Sequence, residues 1–265
     1  MKMTELRHLQ LVVLDILKDV DSVCRKNNID YFLAYGSALG AVRHKGFIPW
    51  DDDIDIMLDN SNFEKFICFL RKELPKDKYF IQEELKDWPM PYTKIRLRGT
   101  KYCESESYGQ GDENGIFIDV FRLDNSPVNY ILARWQYVCA KYYLAYALSK
   151  RSFRTASFKK RIMMYLTFPL RLRFVRHFII GQSKKYGKDT DPYLACYYTR
   201  YRYHNSIIKR EYLGKPNYVE FENTKVPIPQ RWHEYLSYIY GDYMTPPPAK
   251  EQVGLHLKGV DFGKY

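Results

Sequence analysis

Cysteine is scarce in this 265-residue chain: Cys24, Cys68, Cys103, Cys139 and Cys196 are odd in number, widely spaced and form no CxxC pair. This excludes a zinc ribbon and a disulfide framework, and it leaves reduced core thiols in a cytoplasmic protein as the expectation. There is no Walker loop, no HExxH helix and no Ser-His-Asp order, so the chemistries that depend on them are set aside. Uninterrupted apolar runs are missing too. The segment from Ile162 to Ile180 is long enough for a membrane span, but Arg171, Arg173, Arg176 and His177 break it. Charges at a bilayer centre cost about 2.5–3.5 kcal/mol each, which argues against a spanning helix. Two readings remain for it: a buried helix pair whose arginines reach solvent, or a basic amphipathic surface on anionic lipid. The N-terminal MKMTELRHLQLVVLDILKDV lacks the apolar region and cleavage site of a secretory signal and reads as an ordinary first helix.

What is present is a substantial core and an excess of positive charge. Apolar residues make up 46% of the chain, tyrosine alone contributes 25 positions, and the formal net charge is +11. Such a balance fits an anionic partner (nucleotide, phospholipid surface, acidic glycan or nucleic acid) without choosing among them. The basic residues crowd between Arg151 and Lys188. Apolar periodicity predicts a helix over Glu5–Lys26, a strand over Asp30–Tyr35 and a short helix over Ser37–Lys45 stopped by Gly46. A strand over Asp53–Leu58 and a helix over Asn60–Leu74 follow. Tyr79–Gln82, Tyr92–Arg98 and Gly115–Phe121 read as strands, Asn129–Tyr186 as helices, Tyr218–Ile228 as a hairpin and Gln230–Tyr240 as a helix. The pattern is that of an α/β (α+β) protein, a mixed sheet flanked by helices with a helical insertion or subdomain. Its expected parts are a catalytic core at 1–126, a basic aromatic helical subdomain at 127–200, and a segment at 201–265 that completes the core.

The chemistry concentrates in Tyr35–Leu58, YGSALGAVRHKGFIPWDDDIDIML. Alternation along a strand puts Asp53 and Asp55 on one face, roughly 6.6 Å apart by backbone rise, with Ile54 and Ile56 turned inward. Converging carboxylates repel unless a cation neutralises them, so the pair points to Mg²⁺ and metal-dependent transfer at phosphorus. Asp51 shares that face if the strand extends so far, and Asp52 points away. Gly36-Ser37 opens a helix whose N-terminus favours phosphate. Arg43 and His44 follow on that helix, and Lys94, Arg96 and Arg98 alternate along one strand as three cations on one face. For these cations the plain alternative is a solvated helix end and a solvated strand face. The aromatics from Trp88 to Tyr92 suit either a core or a platform for a base or a quaternary ammonium.

The order of a Gly-Ser turn after a strand, Asp-x-Asp on the next strand and a lone Asp119 on a later one resembles the nucleotidyltransferase superfamily. YGSALGAVRHKGFIPWDDDIDI resembles more closely the LicD family, named for bacterial phosphocholine transferases and related to the fukutin proteins. Thr93-Lys94-Ile95-Arg96, the Gly115–Phe121 stretch and Tyr240-Gly241-Asp242-Tyr243-Met244 match as well. The resemblance implies a nucleotidyltransferase-like fold and transfer of a phosphorylated alcohol from a CDP-linked donor to a glycan hydroxyl, on the route to lipopolysaccharide, capsule or teichoic acid. It implies Mg²⁺ (or Mn²⁺) on Asp53, Asp55 and Asp119, with Asp51 as a further ligand and Asp119 as first candidate for the acceptor's proton. It makes Gly36, Ser37, Arg43, His44, Lys94 and Arg96 donor-site residues, Lys94 and Arg96 at the diphosphate. Acceptors of this kind include glycans carried on membrane lipid, so a cytoplasmic protein with peripheral contact at the inner membrane face is expected, and no nucleic acid. His256 and His204 are minor candidates. A nucleotidyltransferase moving NMP from an NTP, and a non-enzymatic binder of anionic surfaces, are the rival readings.

Overall fold

A computed structural model describes residues 4–103, 114–150, 158–199, 201–253 and 259–265. The chain divides into two units: Met1–Gln82 with Thr93–Arg122 and Glu211–Tyr265, and Glu83–Tyr92 with Leu123–Arg210.

In chain order the first unit contains α1 (Glu5–Lys26), β1 (Phe32–Leu33), α2 (Tyr35–His44), β2 (Asp55–Asp59), α3 (Asn60–Glu73), β3 (Tyr79–Gln82), β4 (Thr93–Leu97), β5 (Lys101–Cys103) and β6 (Phe117–Ser126), the last few residues of which belong to the second unit. α1 forms where the periodicity predicts. Leu9, Val13, Ile16, Leu17 and Val20 are buried along one face, and the Thr4 hydroxyl caps its start by accepting from the Arg7 N–H. Asp59 caps α3 in the same way through the Asn62 N–H. The strands lie in the order β1-β2-β6-β4-β3, with β1/β2, β3/β4 and β4/β6 antiparallel. Ile56, Leu58, Ile95, Leu97, Ile118 and Val120 are buried in this sheet, as is Ile54 just before β2.

The second unit holds α4 (Tyr130–Lys150), α5 (Phe158–Leu166), a 3₁₀ turn at Phe168–Arg171, α6 (Arg173–Lys184), β7 (Tyr193–Ala195) and β8 (Ile207–Lys209). β7 pairs with β8 and with Asp124–Ser126 at the end of β6. Its interior is built from tyrosine: Tyr143, Tyr146, Tyr197 and Tyr198 are buried, and their hydroxyls find partners such as Pro89 O and Ser126 Oγ. Trp88 is buried as well and donates its indole N–H to Tyr92 O. Then follow α7 (Arg210–Leu213), which re-enters the first unit at Glu211, the antiparallel hairpin β9 (Asn217–Phe221) and β10 (Thr224–Ile228), α8 (Trp232–Tyr240) and β11 (Gly259–Asp261), which pairs with β5.

Three expectations need adjusting. β2 starts at Asp55, not Asp53, because the backbone before it is tied elsewhere: Asp51 N–H closes a turn on Ile48 O, and Asp51 O accepts from the buried Gln10 amide of α1 at 2.9 Å. β4 is buried at all five positions, so it is not a solvated face. All five cysteines are free, but only Cys24, Cys139 and Cys196 are buried; Cys68 and Cys103 are exposed.

Candidate active site

β2 and β6 are neighbours in the sheet, and Asp119 N–H donates to Ile54 O at 2.9 Å. This register carries Asp119 to the residues that lead into β2. Carboxylate oxygens of Asp53, Asp55 and Asp119 lie within 4.8 Å of one another, and so do those of Asp51, Asp52 and Asp53. Four consecutive or alternating aspartates and a fifth from a distant strand therefore converge, with Asp53 common to both groups.

Their electrostatics follow from burial. The Asp55 carboxyl is pushed well above the usual carboxylate range, first by desolvation, then by Asp53, Asp119 and Asp51; Lys94 opposes the shift. Burial beside Asp53 and Asp52 likewise pushes Asp51 up to about 8. Without a cation these groups cannot all ionise cheaply. A donor set made wholly of carboxylate oxygens is the one hard divalent ions favour, so the residues present fit Mg²⁺ or Mn²⁺.

Lys94 supplies the internal counter-charge. It stands across from Asp119 in the β4/β6 register, only 2% exposed, with Nζ 3.1 Å from Oδ1 and 3.3 Å from Oδ2. The Phe117 ring lies beneath the same ammonium. Arg96, one pleat on, donates to Gln82 Oε1 and Gly115 O, both at 2.8 Å. Arg98 is bonded to the carbonyls of Lys76 and Tyr79. The β4/β6 register thus puts Lys94 at the carboxylates, whereas the guanidinium of Arg96, on the same strand, ties β4 to its neighbours.

The β1–α2 turn shapes the other wall. Tyr35 has φ of 45°, a left-handed conformation costly for a residue with a side chain. It is held there by the Tyr235 hydroxyl, which accepts its N–H at 3.1 Å, and by an edge contact with Phe121. Gly36 is packed close to the acidic cluster: a Cβ there would meet Asp51 Oδ2 at 3.1 Å, tighter than an ordinary contact. The buried Ser37 hydroxyl accepts the Asp55 N–H at 2.9 Å, and the N–H groups of Ser37 and Ala38 both point to Ala34 O. Gly36 and Ser37 therefore touch the aspartates directly. Arg43 lies about 10 Å further along α2. It donates to Tyr243 O and to His44 Nε2, and His44 meets the edge of Trp50. Burial lowers the pKa of both, with Arg43 also lowering that of His44. Tyr243 in turn bonds His233 Nδ1 of α8 at 2.7 Å, so the C-terminal motif is tied to α8 as well as, through Arg43, to α2.

Asp52 is buried with Oδ2 accepting from the Tyr102 hydroxyl at 2.8 Å. The sequence assigned no role to Tyr102, Tyr235, His233 or Gln10. Gln10 alone left a signal, as a polar residue on the buried stripe of an amphipathic helix. His204 sits in a 3₁₀ turn of the second unit, and His256 lies outside the described residues.

Comparison with known proteins gives concordant results. Residues 28–160 match the family described as LicD/FKTN/FKRP, nucleotidyltransferase domain. The lipopolysaccharide cholinephosphotransferase LicD of Haemophilus influenzae is 29% identical over 274 residues, covering 97% of this chain and 98% of that protein. Uncharacterized proteins of Rickettsia typhi and Rickettsia prowazekii are 42% identical over 60 residues and 50% identical over 46 residues, spanning 22% and 17% of this chain and 19% and 17% of theirs.

Proposed function

This chain belongs to the LicD/FKTN/FKRP family, and from that premise we propose that it transfers a phosphorylated alcohol, phosphocholine first among them, from a CDP-linked donor to a hydroxyl of a cell-surface glycan or its precursor. The observation that carries the reading is the convergence of Asp53, Asp55 and Asp119 from two separate strands' surroundings onto one point, with Lys94 beside it. Bound at those three carboxylates, Mg²⁺ or Mn²⁺ would neutralise the diphosphate and the charge that develops on the departing CMP.

In the transfer the acceptor oxygen bonds to the phosphorus that carries the alcohol, the bridging P–O bond breaks, and CMP leaves. The hydroxyl proton passes to a carboxylate. Asp119 fits that task because the Lys94 ammonium, in reach of both its oxygens, favours the ionised form that can accept a proton. Asp51 stands against Gly36 as an additional ligand. Ser37 holds the Asp55 backbone, so the carboxylate position is set before substrate arrives. Arg43 and His44 are donor contacts at the far end of α2, and Arg96 supports the strand that presents Lys94.

A donor panel tests this. The protein is incubated with CDP-choline, other CDP-alcohols or NTPs, with a glycan acceptor and Mg²⁺, and products are read by mass spectrometry. CMP release with gain of the phospho-alcohol on the acceptor is expected. Pyrophosphate release from an NTP, with no CMP from any CDP-alcohol, would replace the proposal by nucleotidyl transfer.

A further inference from the structure

The second unit presents its apolar residues to solvent in an ordered way. On α5, Phe158, Ile162, Tyr165 and Leu166 recur at helical spacing, the signature of a buried stripe, yet all four are exposed, Tyr165 at 75%. On α4 the stripe Ile131, Trp135 and Val138 is exposed in the same manner, Ile131 at 76%. On α6 Phe174 and Phe178 are exposed one turn apart, and Phe168 and Leu172 precede them. The stripes adjoin. The Trp135 indole donates to Gln182, one turn past Phe178, and the Tyr142 hydroxyl donates to Leu166 O at the end of α5. Thirteen of the sixteen large exposed apolar side chains among the described residues fall between Val128 and Phe178. A monomer in water rarely leaves so much apolar surface together.

Charge selects the occupant. From Asn125 to Lys188 the sequence has no Asp or Glu and fourteen Lys and Arg, more positive charge than the whole chain's net +11. Arg161, Arg171 and Arg173 are exposed among the apolar residues, Arg171 over the Phe168 ring at 4.9 Å. A second copy of the chain would bring like charge against like charge. A nucleic acid would satisfy the arginines but would leave Ile131, Val138, Ile162 and Leu166 in water. We infer that this surface of the second unit docks on an anionic phospholipid bilayer, apolar side chains entering the interface and arginines meeting the lipid phosphates. No helix among the described residues is long and apolar enough to cross a membrane, so the contact is peripheral. The inference rests on these residues alone and not on the transfer reading.

The test is flotation of the full chain with vesicles of phosphatidylcholine alone or with about 30% phosphatidylglycerol. Binding to the anionic vesicles is expected. R171A/R173A should weaken it about fivefold per cation removed. F174S/F178S should weaken it by at least about tenfold. Circular dichroism and melting check that each variant folds, and F158S/Y165S replaces the second pair if it does not. Failure to float with anionic vesicles overturns the inference, as do variants that bind like wild type. So does a wild-type dimer that F174S/F178S converts to monomer, or an oligonucleotide complex indifferent to that pair. D53N, which removes a carboxylate from the active site, should float unchanged, so loss of turnover and loss of membrane binding are read separately.

Discussion

Lys94→Met removes the ammonium from a carboxylate that has nowhere to go. At 3.1 Å and an effective dielectric near 20, the Lys94–Asp119 attraction is about 5 kcal/mol before the cost of burying the lysine is subtracted. Breaking one side of a buried pair leaves an uncompensated charge, and the measured penalty for that is about 3–5 kcal/mol. The metal-free variant should therefore melt roughly 6–20 °C below wild type, at about 2–4 °C per kcal/mol for a chain of this size. Two further results belong to the same argument. Adding Mg²⁺ should return part of the loss, because a cation at Asp53, Asp55 and Asp119 takes over the neutralising role. The double variant K94M/D119N should recover most of it without metal, because the carboxylate that Lys94 neutralised is then gone as well. Thermal and urea denaturation in EDTA and in Mg²⁺ provide the measurement. A K94M protein within about 1 kcal/mol of wild type, or a double variant no better than the single one, would refute the assignment of Lys94 as the internal counter-ion.

The same site yields other expectations. D53N or D55N should lower turnover by at least about 100-fold while the protein still folds, checked by CMP release and circular dichroism. D55N should also melt higher than wild type in EDTA, since it removes a carboxylate that burial and its neighbours disfavour. Metal-free stability should fall as pH rises from about 4 to about 8: Asp51, ordinarily near 3.8, is pushed up to about 8 and Asp55 moves the same way, so the folded state holds more protons than the unfolded chain across that window. Mg²⁺ should flatten the slope, and melting curves against pH in EDTA and in Mg²⁺ measure it. S37A strips the Asp55 N–H of its acceptor and should cost about 1–3 kcal/mol, read from urea denaturation, with reduced turnover.

Much of the local structure was legible because it is encoded locally. The bounds of α1 and β3 match their periodicity to the residue, and the hairpin at residues 217–228 was visible as two β-rich runs around a turn. What escaped was non-local. β5 finds its partner in β11, more than 150 residues away, and β7 and β8 are three-residue strands whose pairing no run of residues announces. The start of β2 was misplaced because alternation alone cannot see Gln10 holding the Asp51 carbonyl. Lys94 was readable as a cation on a strand face, yet its partner came from register, which puts it opposite Asp119 only once β4 and β6 lie side by side.

By itself the sequence pointed to the kind of chemistry, since a Gly-Ser turn followed by Asp53 and Asp55, with Asp119 on a later strand, resembles the arrangement of a family of phosphorus-group transferases. It also determined which residues share a helix face, because 3.6-residue periodicity is a property of the backbone. It did not determine what covers that face. Phe158, Ile162, Tyr165 and Leu166 carry the pattern of a core helix, and only the tertiary structure leaves them in solvent. Burial depends on what the rest of the chain places nearby, and so does the proton affinity of Asp51 and Asp55. Both quantities arise from neighbours that are distant in sequence, which is why they had to await the fold.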